Sequence, residues 1–164
     1  MDNASKRIMR SFVEEYLPDK ELVIVDVGSL NVNGTYHGSL QNPKWKYIGL
    51  DIVPGKNVDL VVKDPYIWAE LPENYADFVI SGQTLEHVEF PWLTIKEIQR
   101  VLKPGGMACI IAPSAGYEHR YPVDCWRILP DGFRALAKWA GLKVITINKE
   151  EKSLWNLVSI ICQK

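Results

Sequence analysis

Two histidines stand in segments that mix acids, bases and aromatic rings. His87 lies in "TLEHV" and His119 in "YEHRYPVDCWR". An imidazole titrates near neutral pH, so either ring suits removal of a proton from a hydroxyl or an amine. The second segment adds Arg120, Tyr121, Asp124, Trp126 and Arg127. Rings of this kind offer flat binding surface, and a guanidinium grips a carboxylate or phosphate. Plainer readings stand beside these: His87 orients Glu86 or caps a turn, and the loop packs on itself with solvated charges. Cys109, Cys125 and Cys162 are odd in number, widely spaced and free of any CxxC pair, so neither a disulfide framework nor a zinc site is expected. No metal is assigned.

The elements that must hold these groups follow from hydrophobic period. "ELVIVDV" is a β-branched run ending beyond an acid, as in a strand buried on both faces. "KYIGLDI", "VDLVV" and "ADFVIS" repeat the pattern, and "MACIIAP" follows. Residues Ser5 to Tyr16 read as an amphipathic helix stopped by Pro18. "FPWLTIKEIQRVLKPGG" reads as a helix terminated by its "KPGG". "PDGFRALAKWAG" is a third, with Pro130 in its first turn and Gly141 at its end. "LKVITIN" and "LWNLVSIICQK" close the chain as a hairpin. The expected architecture is α/β: a doubly wound, Rossmann-like, mostly parallel sheet of about seven strands with a C-terminal antiparallel hairpin and helices on both faces. It forms one domain over 1–164, with an N-terminal helix in 1–20. The period-free segment 113–130 is expected to cover the acceptor, since long loops in compact domains are usually functional.

In such sheets the ligand lies beyond the carboxyl ends of the central strands. Gly28 stands at the end of the first, where a backbone without Cβ admits close approach. Asp51 ends the second, 25 residues after Asp26, and a carboxylate there accepts hydrogen bonds from a ribose diol. Asp64 follows the third, and Ser81 to His87 the fourth. One glycine and one acid are weak evidence alone. However, "VDVGSLNVNG", "YIGLDI", "DFVISGQTLEHV" and "LKPGGMACIIAPS", in that order, resemble the sequential motifs of class I S-adenosylmethionine-dependent methyltransferases, and more closely the small bacterial members of the type 11 group. The resemblance implies S-adenosylmethionine as cofactor and S-adenosylhomocysteine as product. It implies that Asp26, the acid opening the first motif, is among the cofactor-binding residues and that the turn at Gly28 and Ser29 passes the methionine part. Asp51 would bind the ribose, Ile52 would pack on adenine and Asp64 would bind its amino group. The backbone of Ser81, Gly82 and Gln83 would lie near the sulfonium. The departure is in the first motif, where Leu30 and Val32 occupy the second and third glycine positions. The following "NVNGTYHGSLQNP" is short, so the usual helix there is expected to be curtailed.

Composition narrows the partners. The chain has 164 residues, 47% hydrophobic and 24% charged, with a formal net charge of −1, so no electrostatic field draws it to nucleic acid or an anionic membrane. There is no membrane-length apolar run and no signal-like core, and a cytoplasmic monomer or homodimer is expected. The resulting expectation is direct in-line methyl transfer to O or N of a small-molecule or saccharide acceptor, with His119 or His87 as base. Two rivals share the fold. A nicotinamide oxidoreductase would want a GxGxxG turn, which is missing. A non-catalytic methyltransferase-like subunit would tolerate the altered first motif.

Overall fold

The computed structural model describes residues 3–164. Seven strands, β1 (Leu22–Val27), β2 (Trp45–Asp51), β3 (Leu60–Val61), β4 (Ala76–Gly82), β5 (Leu102–Pro113), β6 (Lys143–Lys149) and β7 (Leu157–Gln163), form one sheet in the order β3-β2-β1-β4-β5-β7-β6. The first five run parallel, and β7 lies antiparallel between β5 and β6. From β1 the chain winds outward through β2 to β3, then returns to β4 on the other side. The switch point is therefore between β1 and β4, where Val27 pairs with Ser81, and this crevice is where such sheets bind ligands.

Alternation along the strands divides the core in two. Ile24, Ile80, Cys109 and Ile111 face α1 (Asn3–Tyr16), which contributes Met9 and Phe12. Val25, Val79, Ile110 and Ile160 face α2 (Pro91–Val101) and α3 (Pro130–Ala140), which contribute Ile95, Ile98 and Phe133. The expected doubly wound sheet with a terminal hairpin is what the chain forms. α3 runs from Pro130 to a left-handed Gly141, whose N–H bonds the carbonyls of Ala137 and Lys138, the αL termination expected for glycine.

Two local expectations need correction. α2 is not terminated by "KPGG". It ends at Val101, Leu102 is already extended, and the strand register runs from Ala76–Leu102 to Phe78–Met107 through an irregularity that absorbs the intervening residues. Pairing with β4 thus overrides a local turn signal. The "VDLVV" strand shrinks to Leu60–Val61, the two residues that pair in register with β2, with Asp59 and Val62 adding one backbone bond each at its ends. α1 (Asn3–Tyr16) covers the expected helix, and the first two residues of the expected 1–20 segment lie outside the described residues. Among the described residues, the segment after β1 carries only the 3-10 turn His37–Ser39, in keeping with the curtailed helix expected there.

Candidate active site

The turn leaving β1 is held against β2 and the segment after it by four successive backbone donors. The N–H groups of Gly28 and Ser29 bond Leu50 O at 2.9 and 3.1 Å, and that of Asn31 bonds Lys56 O at 3.0 Å. The Leu30 N–H bonds Asp51 Oδ2 at 3.0 Å. Gly28 adopts φ +77°, and a Cβ there would lie 2.2 Å from Thr84 Oγ1. Glycine is required on both counts. Ser29 turns inward: its buried Oγ has no hydrogen-bond partner among the described residues and lies 2.8 Å from where Gly49 would carry a Cβ.

Asp26, the next-to-last residue of β1, is 3% exposed. Its Oδ2 accepts a 2.7 Å bond from Tyr47 Oη, which accepts in turn from Asn57 Nδ2 at 2.8 Å. Burial raises the Asp26 carboxyl to about 7, opposed by the Tyr47 bond and reinforced by Asp51. At the end of β2, Asp51 Oδ1 accepts from the N–H groups of Ile52 (2.8 Å) and Val53 (3.3 Å). With Leu30 on Oδ2, about one of its four lone-pair positions remains for a hydroxyl. Ile52 is exposed beside it. Asp64 uses Oδ1 for the N–H groups of Tyr66 and Ile67, at 2.7 and 3.1 Å. Asp51 with Ile52, and Asp64, thus follow the ends of two neighbouring strands, β2 and β3.

The end of β4 is built differently. Ser81 Oγ is turned to the Val27 carbonyl at 2.9 Å, tying the two switch-point strands together. A Cβ on Gly82 would lie 1.8 Å from Tyr36 Oη, so the glycine exists to admit a buried tyrosine. Tyr36 is hydrogen-bonded to Ser5 of α1. Gln83 follows with φ +57° and begins the departure from the sheet.

Next comes the 3-10 turn Leu85–His87, which places Glu86 under the loop that follows β5. Glu86 is 1% exposed, and its Oε2 has no hydrogen-bond partner among the described residues. Burial raises its carboxyl to about 8. His87 Nδ1 lies 2.6 Å from the Val123 carbonyl, to which it donates, and Nε2 lies 3.9 Å from Glu86 Oε1. Burial lowers the His87 pKa, partly offset by the Val123 bond. The His119 ring sits 4.9 Å from that of His87 and 4.5 Å from that of Trp155, centroid to centroid. The two histidines singled out from the sequence thus meet, and Glu86 joins them.

The loop is pinned to this cluster and to itself. The N–H groups of Cys125 and Trp126 bond the Glu86 carbonyl at 2.7 and 3.2 Å, and Trp126 Nε1 bonds Val88 O at 2.9 Å. Asp124, whose side chain is 2% exposed, takes two bonds from Arg127, at 2.6 and 2.8 Å, and one from the His119 N–H at 2.6 Å. The Arg127 guanidinium foremost holds the Asp124 carboxyl well below the usual range. Arg127 also bonds Tyr117 O. These two residues therefore build the loop, and the anion-binding capacity expected of Arg127 is already occupied. Arg120 pairs with Glu118 at the exposed surface, and Tyr121 is exposed. The sequence named Glu86 only as a group for His87 to orient, and gave Tyr36 no role. The only signal for Glu86 was an acid beside a histidine in an otherwise apolar stretch, and for Tyr36 there was none.

A parallel sheet reversing at β1/β4, an acid ending β2 and a β5–β7–β6 antiparallel edge together define a Rossmann-like methyltransferase fold. Comparison with known proteins carries this further. The family model described as a methyltransferase domain matches residues 25–110, and the chain belongs to that family, the type 11 group of class I methyltransferases, whose cofactor is S-adenosylmethionine. A chloroplastic 2-methyl-6-phytyl-1,4-hydroquinone methyltransferase of Arabidopsis thaliana is 33% identical over 82 residues, covering 48% of this chain and 24% of that protein. The chain thus matches about a quarter of that relative's length. The 1,6-didemethyltoxoflavin N1-methyltransferase of Burkholderia thailandensis, solved with S-adenosylhomocysteine and its substrate, superposes with a TM-score of 0.77 at 16% identity, over 99% of this chain and 79% of that one. The cyclase SpnF gives 0.75 at 16% identity, over 97% and 80%. At such identities the solved structures share the fold. Among the described residues, no helix is long and apolar enough to cross a membrane.

Proposed function

We propose that the chain transfers the methyl group of S-adenosylmethionine to an oxygen or nitrogen of a small-molecule or saccharide acceptor. The observation that supports this reading is that two groups follow the carboxyl ends of parallel strands of one sheet: acids after β2 and β3, which we read as an adenosine cradle, and a proton-accepting cluster after β4. Asp51, Ile52 and Asp64 supply the first; Glu86, His87 and His119 supply the second, roofed by the 113–130 loop. The acceptor's lone pair attacks the methyl carbon as the C–S bond breaks, its electron pair returning to sulfur to leave neutral S-adenosylhomocysteine. The acceptor's proton must leave, and the cluster receives it. Alignment and exclusion of water supply much of the rate. The compounds named for a relative and for a structural neighbour, 2-methyl-6-phytyl-1,4-hydroquinone and 1,6-didemethyltoxoflavin, are ring compounds, which suits a loop presenting Tyr121 and Trp126.

The β1 turn favours a second reading. Its N–H groups are occupied and Tyr36 covers Gly82, so the methionine end is more closed than the adenosine end, as in a partner subunit that binds without turnover. Calorimetry with S-adenosylhomocysteine, followed by assay of its formation from S-adenosylmethionine with phenols, hydroquinones, nitrogen heterocycles and sugars, separates the two. Binding with product formation supports the enzyme. Binding without turnover supports the subunit. Absence of binding at millimolar cofactor refutes the enzyme and supports a subunit that has lost the cofactor.

A further inference from the structure

Glu86, His87 and His119 each present one ligand atom, and the three lie within 4.8 Å of one another. Two imidazoles and one carboxylate are the donor set of a three-coordinate divalent centre with an open fourth position. The surroundings match that purpose. Because His87 Nδ1 donates to the Val123 carbonyl at 2.6 Å, its tautomer is fixed and the Nε2 lone pair faces Glu86. A hydrogen-bonded outer nitrogen of this sort accompanies most metal-binding histidines. Behind His119, Asp124 Oδ2 lies 3.4 Å from Nδ1, the place of an outer carboxylate. Glu86 is 1% exposed and its Oε2 has no partner among the described residues, an arrangement that leaves a buried carboxylate oxygen unsatisfied. Bonds of about 2.1 Å to a tetrahedral ion place ligand atoms about 3.4 Å apart, so modest side-chain rotation closes the cluster.

We propose that Glu86, His87 and His119 bind a divalent transition-metal ion, of which Zn²⁺ is the best fit, with its open position facing the acceptor. The inference rests on the proposed function only for what the ion would do. A coordinated acceptor hydroxyl gives its proton to solvent more readily, and its oxygen then attacks the methyl carbon. The histidines would act as ligands in that case, and the ion would replace a free imidazole base. No CxxC or HxxH spacing announces the site, because His119 arrives from a different loop than the adjacent pair Glu86 and His87.

The test uses untagged, chelator-treated full-length protein titrated with Zn²⁺, and with Co²⁺ for its visible absorption. One ion per chain is expected, with a cobalt spectrum of low coordination number and no competition from Mg²⁺, which prefers oxygen ligands. Loss of an outer partner alone weakens metal binding about 10–100-fold, so His119→Ala and Glu86→Gln should each weaken it by more than that, and Asp124→Asn by about tenfold. Melting curves identify variants that fail to fold, and Asp124→Asn then supplies the graded readout. Cys125, an exposed thiol, is controlled by Cys125→Ser, which should bind normally. Binding that survives His119→Ala, or that disappears with Cys125, overturns the proposal, as does an absence of Zn²⁺ binding in protein that still binds S-adenosylhomocysteine. Metal binding without cofactor binding would sustain the metal site and refute the methyltransferase reading.

Discussion

Replacing Asp26 by asparagine should stabilise the protein, and the gain should depend on pH in a set way. Asp26 is 3% exposed, with a carboxyl raised to about 7 chiefly by burial, whereas an aspartate in the unfolded chain titrates near 3.9. A group whose folded pKa is raised loses stability as pH rises from its unfolded value to its folded one. Below about pH 4 the acid is protonated in both states and the substitution is nearly neutral, since asparagine's carbonyl oxygen can still accept from Tyr47 Oη. Above that, the variant's advantage grows by about 1.4 kcal/mol per pH unit and levels off near pH 7. The shift of about three units gives a ceiling of about 4 kcal/mol, large against the roughly 5–15 kcal/mol of a typical domain. Urea unfolding of both proteins, followed by tryptophan fluorescence at intervals from about pH 4 to about pH 8.5, measures it. Other titrations cancel in the difference provided they do not couple to this site. An advantage that is flat with pH, or a destabilisation that grows toward alkaline pH, would refute the burial argument.

Three further outcomes are expected. Gly28→Ala should destabilise by more than about 2 kcal/mol, since a left-handed alanine costs about 1–2 kcal/mol before the contact with Thr84 is counted. A Thr84→Ala background should recover only part of this in thermal melts, and full recovery would show that φ is relaxed. Asp51→Ala should weaken S-adenosylhomocysteine binding about 10–100-fold by calorimetry, the equivalent of one charged hydrogen bond; an unchanged affinity would remove Asp51 from the cofactor site. Arg127→Met should cost about 3–5 kcal/mol by leaving Asp124 buried and unpaired, and Asp124→Asn added to it should restore stability. Equal losses in the single and double variants would show that the pair does not organise the loop.

How much of this was legible depended on whether a feature is local. The strands were readable because apolar runs such as "VIVDV" and "DFVIS" carry both faces of a buried sheet in consecutive residues. Gly28 and Asp51 were readable because each stands where such a run ends. The termination of α2 was not, since "KPGG" signals a turn locally while β4, far off in sequence, captures Leu102 as strand. In the loop, chemistry was visible and allocation was not. Arg127 and Asp124 are three residues apart, and only the folded loop reveals that they neutralise each other. Nothing near Tyr36 says that its hydroxyl fills the space above Gly82. Such pairings depend on distance in space, and one sequence without relatives does not encode them in any local period.

The same distinction explains how the β1 turn manages without its usual glycines. A side chain in the turn can be accommodated by a missing side chain on the element that faces it. Leu30 occupies a position where a glycine was expected, and its Cδ1 lies 2.3 Å from where Gly55 would carry a Cβ. Likewise Gly49 leaves room for Asn57 O, which would be 2.0 Å from an added Cβ, and for Ser29 Oγ. The small residues have moved from the turn to the strand and loop facing it. The turn is consequently shaped by β2 and the segment after it, through four backbone N–H bonds, more than by its own conformational freedom. Gly55→Ala should therefore disturb Leu30, and through the Leu30 N–H the Asp51 carboxylate, although Gly55 touches neither ribose nor methionine in the proposed site. Weakened S-adenosylhomocysteine binding in that variant, with its melting temperature little changed, would place the origin of cofactor affinity in the facing loop. An unaltered affinity would return it to Gly28 alone.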